Sequence, residues 1–221
     1  MTLAIFDLDN TLIAGDSDHL WGEFLIDQGI VDADGFKAAN DGFFQDYQDG
    51  RLDIFAYQEF VLGVLKGRPL EELHRLRQHY MDTVIDSIWL PAAEQLVADH
   101  RERGHTLMII TATNDFITTP IAARLGVPWL IATQADTDAD GLYTGRVRGI
   151  PSYQYGKVER LAEWLAEHQE TLDGSYFYSD SHNDLPLLRK VDHPVAVDPD
   201  PTLERHAREQ GWPIQSLRAA S

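Results

Sequence analysis

The sequence predicts an α/β protein with a doubly wound, Rossmann-like parallel sheet and a helical cap domain inserted after the first strand. Three observations lead there. Continuous apolar runs of strand length recur along the chain, as in strands covered on both faces. Helix-length amphipathic segments separate most of them, the alternation expected of a parallel sheet. One long stretch near the N-terminus breaks that alternation with helical patterns alone.

In chain order, TLAIF (2–6) reads as the first strand. Four amphipathic helices follow between Gly, Pro and Asp turns: DHLWGEFLIDQG, ADGFKAANDGFFQDYQDG, DIFAYQEFVLGVLKG and PLEELHRLRQHYMDTVI. Their aromatics, Trp21, Phe24, Phe43, Phe44, Tyr47, Phe55, Tyr57 and Phe60, are expected to form the insert's own core. The sheet resumes with TLMII (106–110), PWLIA (128–132), SYFY (175–178) and PVAV (194–197). Of the four helices among these strands, three stop at a glycine, Gly104, Gly126 and Gly211, as a helix C-terminus prefers. The division that results is a core of residues 1–14 and 89–221 and a cap of residues 15–88.

The stretch TQADTDADGLYTGRVRG resembles the start of a calcium loop at Asp136, Asp138, Asp140 and Gly141. Its twelfth position is Val147, which has no carboxylate to offer, and a hairpin turning at Asp140-Gly141 is the better reading.

At 221 residues, 43% hydrophobic and 24% charged, the chain has the composition of a folded globular protein. A formal net charge of −18 repels nucleic acid and anionic membrane, so neither is expected as a partner. The absence of cysteine excludes thiol nucleophiles, thiolate metal sites and disulfides. The first apolar run is broken at Asp7 and carries no basic lead-in, which makes a cytoplasmic location the expectation.

The chemistry begins at AIFDLDNTLI, where Asp7 and Asp9 stand at the end of an apolar strand. Residues i and i+2 of an extended chain share a side, and two adjacent carboxylates repel unless a cation lies between them or one keeps its proton. Thr111 ends the second sheet strand, Lys157 opens a helix, and Asp180 and Asp184 follow a third strand. In open α/β sheets ligands bind beyond the carboxyl ends of the strands, so four separate segments are delivered to one edge.

This ordered set, Asp7-Leu8-Asp9-Asn10-Thr11, then Thr111, then Lys157, then Asp180-Ser181-His182-Asn183-Asp184, resembles the haloacid dehalogenase superfamily of hydrolases. The similarity is to its subfamily IB branch of phosphoserine-phosphatase-like and bacterial histidinol-phosphatase-like enzymes, and it spans nearly the whole chain. It implies Asp7 as nucleophile and Asp9 as general acid and base. It implies Mg2+ held by Asp7, the Asp9 carbonyl and Asp180 with support from Asp184, and a phosphoryl group gripped by Thr111 and Lys157. For Asn183, a phosphate contact and a turn or cap role stand as equals. His182, between two motif acids, is read as an exposed loop side chain, and the other histidines show no ligand spacing.

The substrate implied is a small phosphorylated metabolite. Asp16, nine residues after Asp7, falls where phosphoserine phosphatases bind the substrate amine. Gln58 or Glu59 falls near the place of their carboxylate-binding arginine, with Arg51 or Arg68 as substitutes from neighbouring turns. An amine receptor without a carboxylate receptor leads to an amino alcohol phosphate, with L-histidinol phosphate as best candidate. Phosphoserine hydrolysis and phosphotransfer to another alcohol are the alternatives, and a phosphate-sensing receiver module is the reading from a different class.

Overall fold

A computed structural model describes residues 2–218. Its main sheet has six parallel strands in the order β3-β2-β1-β6-β7-β8. These are β1 (Leu3–Phe6), β2 (Thr106–Asn114), β3 (Trp129–Thr133), β6 (Tyr176–Ser179), β7 (His193–Val197) and β8 (Ile214–Gln215). The doubly wound expectation holds, with β1 central. Side-chain alternation shows why the strand sequences are apolar throughout. Leu3 and Ile5 of β1 join one buried cluster with Met108, Ile110, Phe177, Leu161 and Leu203, while Ala4 and Phe6 join the other with Leu107, Ile109, Val97 and Phe116.

Between β1 and β2 lie α1 (Ser17–Asp27), α2 (Ala33–Gln48), α3 (Ile54–Gly63) and α4 (Leu70–Tyr80), then a π-helical turn at Met81–Ile85 and α5 (Pro91–Glu102). Asp16, Asp32 and Asp53 cap the first three by accepting backbone amides with their side chains. The apolar cluster on this side runs without a break from the sheet into Trp21, Phe24, Leu62, Leu73 and Tyr80. Only part of the aromatic set fills that core. Trp21 and Phe24 are buried, but Phe43, Phe44, Tyr47 and Tyr57 line a cavity beside Asp7, and Phe55 is 56% exposed. Periodicity finds the apolar face of a helix and is silent about what that face meets.

After β2 come α6 (Asp115–Arg124), the hairpin β4 (Ala135–Thr137) and β5 (Tyr143–Val147), α7 (Tyr155–His168), the short α8 (Leu185–Leu188) and α9 (Pro201–Gln210). The hairpin turns where the sequence placed it: Gly141 has φ +81°, and Asp138 spends Oδ1 on the Asp140 and Leu142 amides. Gly104, Gly126 and Gly211 all take positive φ at helix ends.

Candidate active site

β1 closes at Phe6, so Asp7 stands just past the strand, its amide still donating to Tyr178 O at 2.9 Å. The chain then turns sharply, with Asn10 at φ +56° and its amide donating to Gly15 O. This turn gives the two acids different company. Asp7 Oδ1 accepts from Lys157 Nζ at 2.8 Å, and the Thr11 hydroxyl lies 3.4 Å from Asp7 Oδ2 and 3.2 Å from Asp180 Oδ1. Asp9 instead accepts the Ser17 amide at 2.6 Å on one oxygen, and the hydroxyls of Thr113 at 2.8 Å and Thr111 at 3.3 Å on the other.

Lys157, in the first turn of α7, is 3% exposed and also lies 2.8 Å from Asp184, whose carboxylate takes the Ser179 hydroxyl at 2.7 Å. Burial works against the ammonium, yet Asp184 and Asp7 outweigh it and hold its pKa above the ordinary value. Burial pushes the Asp7 carboxyl up to about 7, with repulsion from Asp184 and Asp9 set against the attraction of Lys157. Burial and then the charge of Asp16 push Asp9 up to about 6. Asp180 is raised well above the carboxylate range by burial and by Asp7 and Asp184, and among the described residues no Lys, Arg or His forms an ion pair with it.

Six of the sequence candidates are therefore brought together: Asp7, Asp9, Thr111, Lys157, Asp180 and Asp184. The donor chemistry fits a hard divalent cation. Asp7 and Asp180 reach one hydroxyl from two chain segments, and the Lys157 ammonium pairs with Asp7 and Asp184 alone, leaving Asp180 without a cationic partner among the described residues.

The remaining candidates stand differently. Asn183 is tied across the fold: its Nδ2 donates to Tyr47 O at 3.0 Å, and its Oδ1 accepts from Tyr153 and Gln154. His182 is half-buried rather than exposed, with Nδ1 2.8 Å from Asp200 Oδ2. Asp16 caps α1, accepting the Asp18 and His19 amides on Oδ1, and lines the cavity beside Asp7. Arg51 pairs with Asp46 and Asp49, Arg68 pairs with Glu72, and neither lines that cavity. Gln58 is fully buried, with its amide donating toward Asp18 and Ala112 O.

Sequence reasoning missed Thr113, Ser179 and Asp18. Thr113 repeats Thr111 at i+2 on one strand, a signal available in advance. It also missed a grouping of His19, Glu23 and Asp41 at i,i+4 spacing on α1 and across to α2. Asn40 Nδ2 donates to both His19 O and His19 Nδ1, which leaves the ring proton on Nε2, and Lys37 already pairs with Asp41. Glu23 and Asp41 lie 3.7 and 3.9 Å from His19 Nε2, beyond hydrogen-bond reach.

Comparison with known proteins identifies the family and the fold. The family model described as "haloacid dehalogenase-like hydrolase" matches residues 4–189. The histidinol-phosphatase of Neisseria meningitidis serogroup C (strain 8013) is 48% identical over 219 residues, covering 98% of this chain and 99% of that one. A crystal structure of a protein of unknown function from Bordetella pertussis Tohama I superposes with a TM-score of 0.92 at 40% identity, over 99% of this chain and 100% of the other. A phosphoserine phosphatase, solved as a phospho-aspartyl intermediate analogue, shares the fold with a TM-score of 0.70 at 19% identity, over 98% and 93% of the two chains.

Proposed function

The chain belongs to the haloacid dehalogenase-like hydrolase family, and on that premise we propose that it is a Mg2+-dependent phosphomonoesterase acting through an aspartyl-phosphate on Asp7, with L-histidinol phosphate as substrate. The observation that carries this reading is the division of labour between two neighbouring acids. Asp7 meets the buried ammonium of Lys157, while Asp9 is held apart by Thr113 and the Ser17 amide.

Asp7 Oδ attacks phosphorus and the bond from phosphorus to the leaving oxygen breaks. Asp9, whose raised pKa keeps a proton in reach at neutral pH, delivers that proton to the departing alcohol. In the second half, Asp9 takes a proton from water as the water oxygen attacks phosphorus, and the Asp7–phosphorus bond breaks to free inorganic phosphate. Lys157 and Thr111 are assigned to the phosphoryl oxygens, and Asp184 with Ser179 orients the ammonium. Asp7, Asp180 and the Asp9 carbonyl would hold Mg2+, which when bound supplies positive charge to the phosphoryl group in an otherwise acidic site. Residues 15–88 form the cap that excludes water during transfer.

The substrate choice rests on the cavity beside Asp7, lined by Asp7, Asp9, Asp16 and Asp18 with no basic side chain. Such a lining suits a cationic leaving group and repels a substrate carboxylate, which disfavours phosphoserine. Asp7→Asn, folded by circular dichroism, should lose turnover by roughly four orders of magnitude or more. EDTA should silence the wild type and Mg2+ restore it. Retained activity in Asp7→Asn refutes the nucleophile, and a strong preference for phosphoserine over histidinol phosphate and phosphoethanolamine refutes the substrate. Stable phosphoprotein without steady phosphate release would point to a receiver module.

A further inference from the structure

Asp18 sits in the first turn of α1, 2% exposed, on the wall of the same cavity as Asp16. A carboxylate at a helix N-terminus is favourable in itself, but this one is withdrawn from water. Its hydrogen bonds all come from neutral groups. Asn114 Nδ2 donates at 3.1 Å, Gln58 Nε2 approaches at 3.4 Å, and the Tyr57 hydroxyl also bonds to it. Among the described residues no cationic side chain pairs with it, and its charged neighbours are Asp16 and Asp9. Two further features are unspent. Gln58 Oε1, on the amide that reaches Asp18, is buried with no hydrogen-bond partner, and Asp16 uses only one carboxylate oxygen for its cap. Phe43, Phe44 and Tyr57 line the same space.

Resting on the phosphatase reading above, we propose that Asp18 is a specificity-determining residue that, together with Asp16, makes a two-carboxylate receptor. The leaving group it selects carries two nitrogen cations or donors: an amine for Asp16, and a second nitrogen on a flat ring for Asp18 between the aromatic side chains. The missing counter-charge of a buried acid is then brought by the substrate. A phosphorylated amino alcohol without the second nitrogen leaves Asp18 buried and unpaired in the complex, and is rejected for that reason.

The test compares L-histidinol phosphate with L-phenylalaninol phosphate, which keeps the phosphate and the amine but lacks the ring nitrogens. In the wild-type enzyme with Mg2+, kcat/KM should favour the former by at least about tenfold, mainly through KM. In Asp18→Asn that ratio should fall to near one. A ratio near one in the wild type, or one unchanged in Asp18→Asn, overturns the proposal. Thermal shifts of the wild-type protein with histamine and with phenethylamine read the receptor without turnover or mutation. A shift confined to histamine supports it, and equal shifts overturn it. A selective histamine shift with no hydrolysis of histidinol phosphate overturns the substrate reading and leaves the receptor standing.

Discussion

Replacing Lys157 by Met removes the one ammonium that meets Asp7 and Asp184, each 2.8 Å from Nζ, while keeping the apolar stem in place. Breaking a buried ion pair from one side costs about 3–5 kcal/mol, because the remaining charge stays buried without a partner. The cost depends on pH, since a buried carboxyl can take up a proton instead. Asp7 stands at about 7 with the ammonium present, and its pKa moves further up without it. With the ammonium present the folded state already keeps this proton up to about pH 7, so the variant's added loss opens only as pH rises above about 7, where the wild type releases the proton and the variant still holds it. At pH 5 the variant should lose only about 1 kcal/mol, the value of the lost hydrogen bonds. At pH 8 the loss should be larger by about 1 kcal/mol, the most that one proton contributes over the single pH unit above about 7, which lowers Tm by a further ~2–4 °C for a chain of this size. Denaturant and thermal melts at both pH values, in EDTA to exclude cations, check this. A loss equal at the two pH values, or larger at pH 5, refutes the account of Asp7 as a buried acid whose pKa Lys157 holds down.

Other perturbations test other contacts. The charge of Asp16 raises the pKa of Asp9, so Asp16→Asn should let Asp9 ionise at lower pH. With an alkyl phosphate that lacks an amine, the basic limb of the kcat/KM profile should move toward lower pH, and a limb that stays or moves up contradicts Asp9 as the proton donor. Gly50 has φ +69°, and a Cβ there would lie 2.9 Å from His182 Nε2. Gly50→Ala should cost about 1 kcal/mol or more and lower Tm by about 2–4 °C. Asn183→Ala takes one donor from Tyr47 O, which keeps the Gly50 amide, leaves the Tyr153 hydroxyl without its acceptor, and should cost about 1–3 kcal/mol. Proteolysis after that change should begin near residues 45–52, and cleavage elsewhere would argue against Asn183 tying α2 to the loop after β6.

The sheet was legible because its strands are buried on both faces and so read as unbroken apolar runs. The two-residue β8 was not, since Ile214–Gln215 is too short to carry a pattern. Asp7, Thr111, Lys157 and Asp180 could be grouped in advance because parallel strands end at one edge, which turns distant positions into neighbours. Asp18 could not. In sequence it is one more acid at a helix start, and only the approach of Tyr57 and Gln58 from α3 and of Asn114 from β2 makes it buried. The aromatic residues of α2 and α3 misled for a related reason, since an apolar stripe fits a cavity wall as well as a core.

By itself, then, the sequence determined the strand and helix order and the edge at which the acids gather. Those features follow from local periodicity and chain direction. Tertiary structure alone decided that Asp7 and Asp9 part company after Phe6, that Asn183 spans two regions of the fold, and that Asp18 has no counter-charge among the described residues. Each of these depends on which side chains arrive from other segments and how much water they displace, and residue spacing does not encode that.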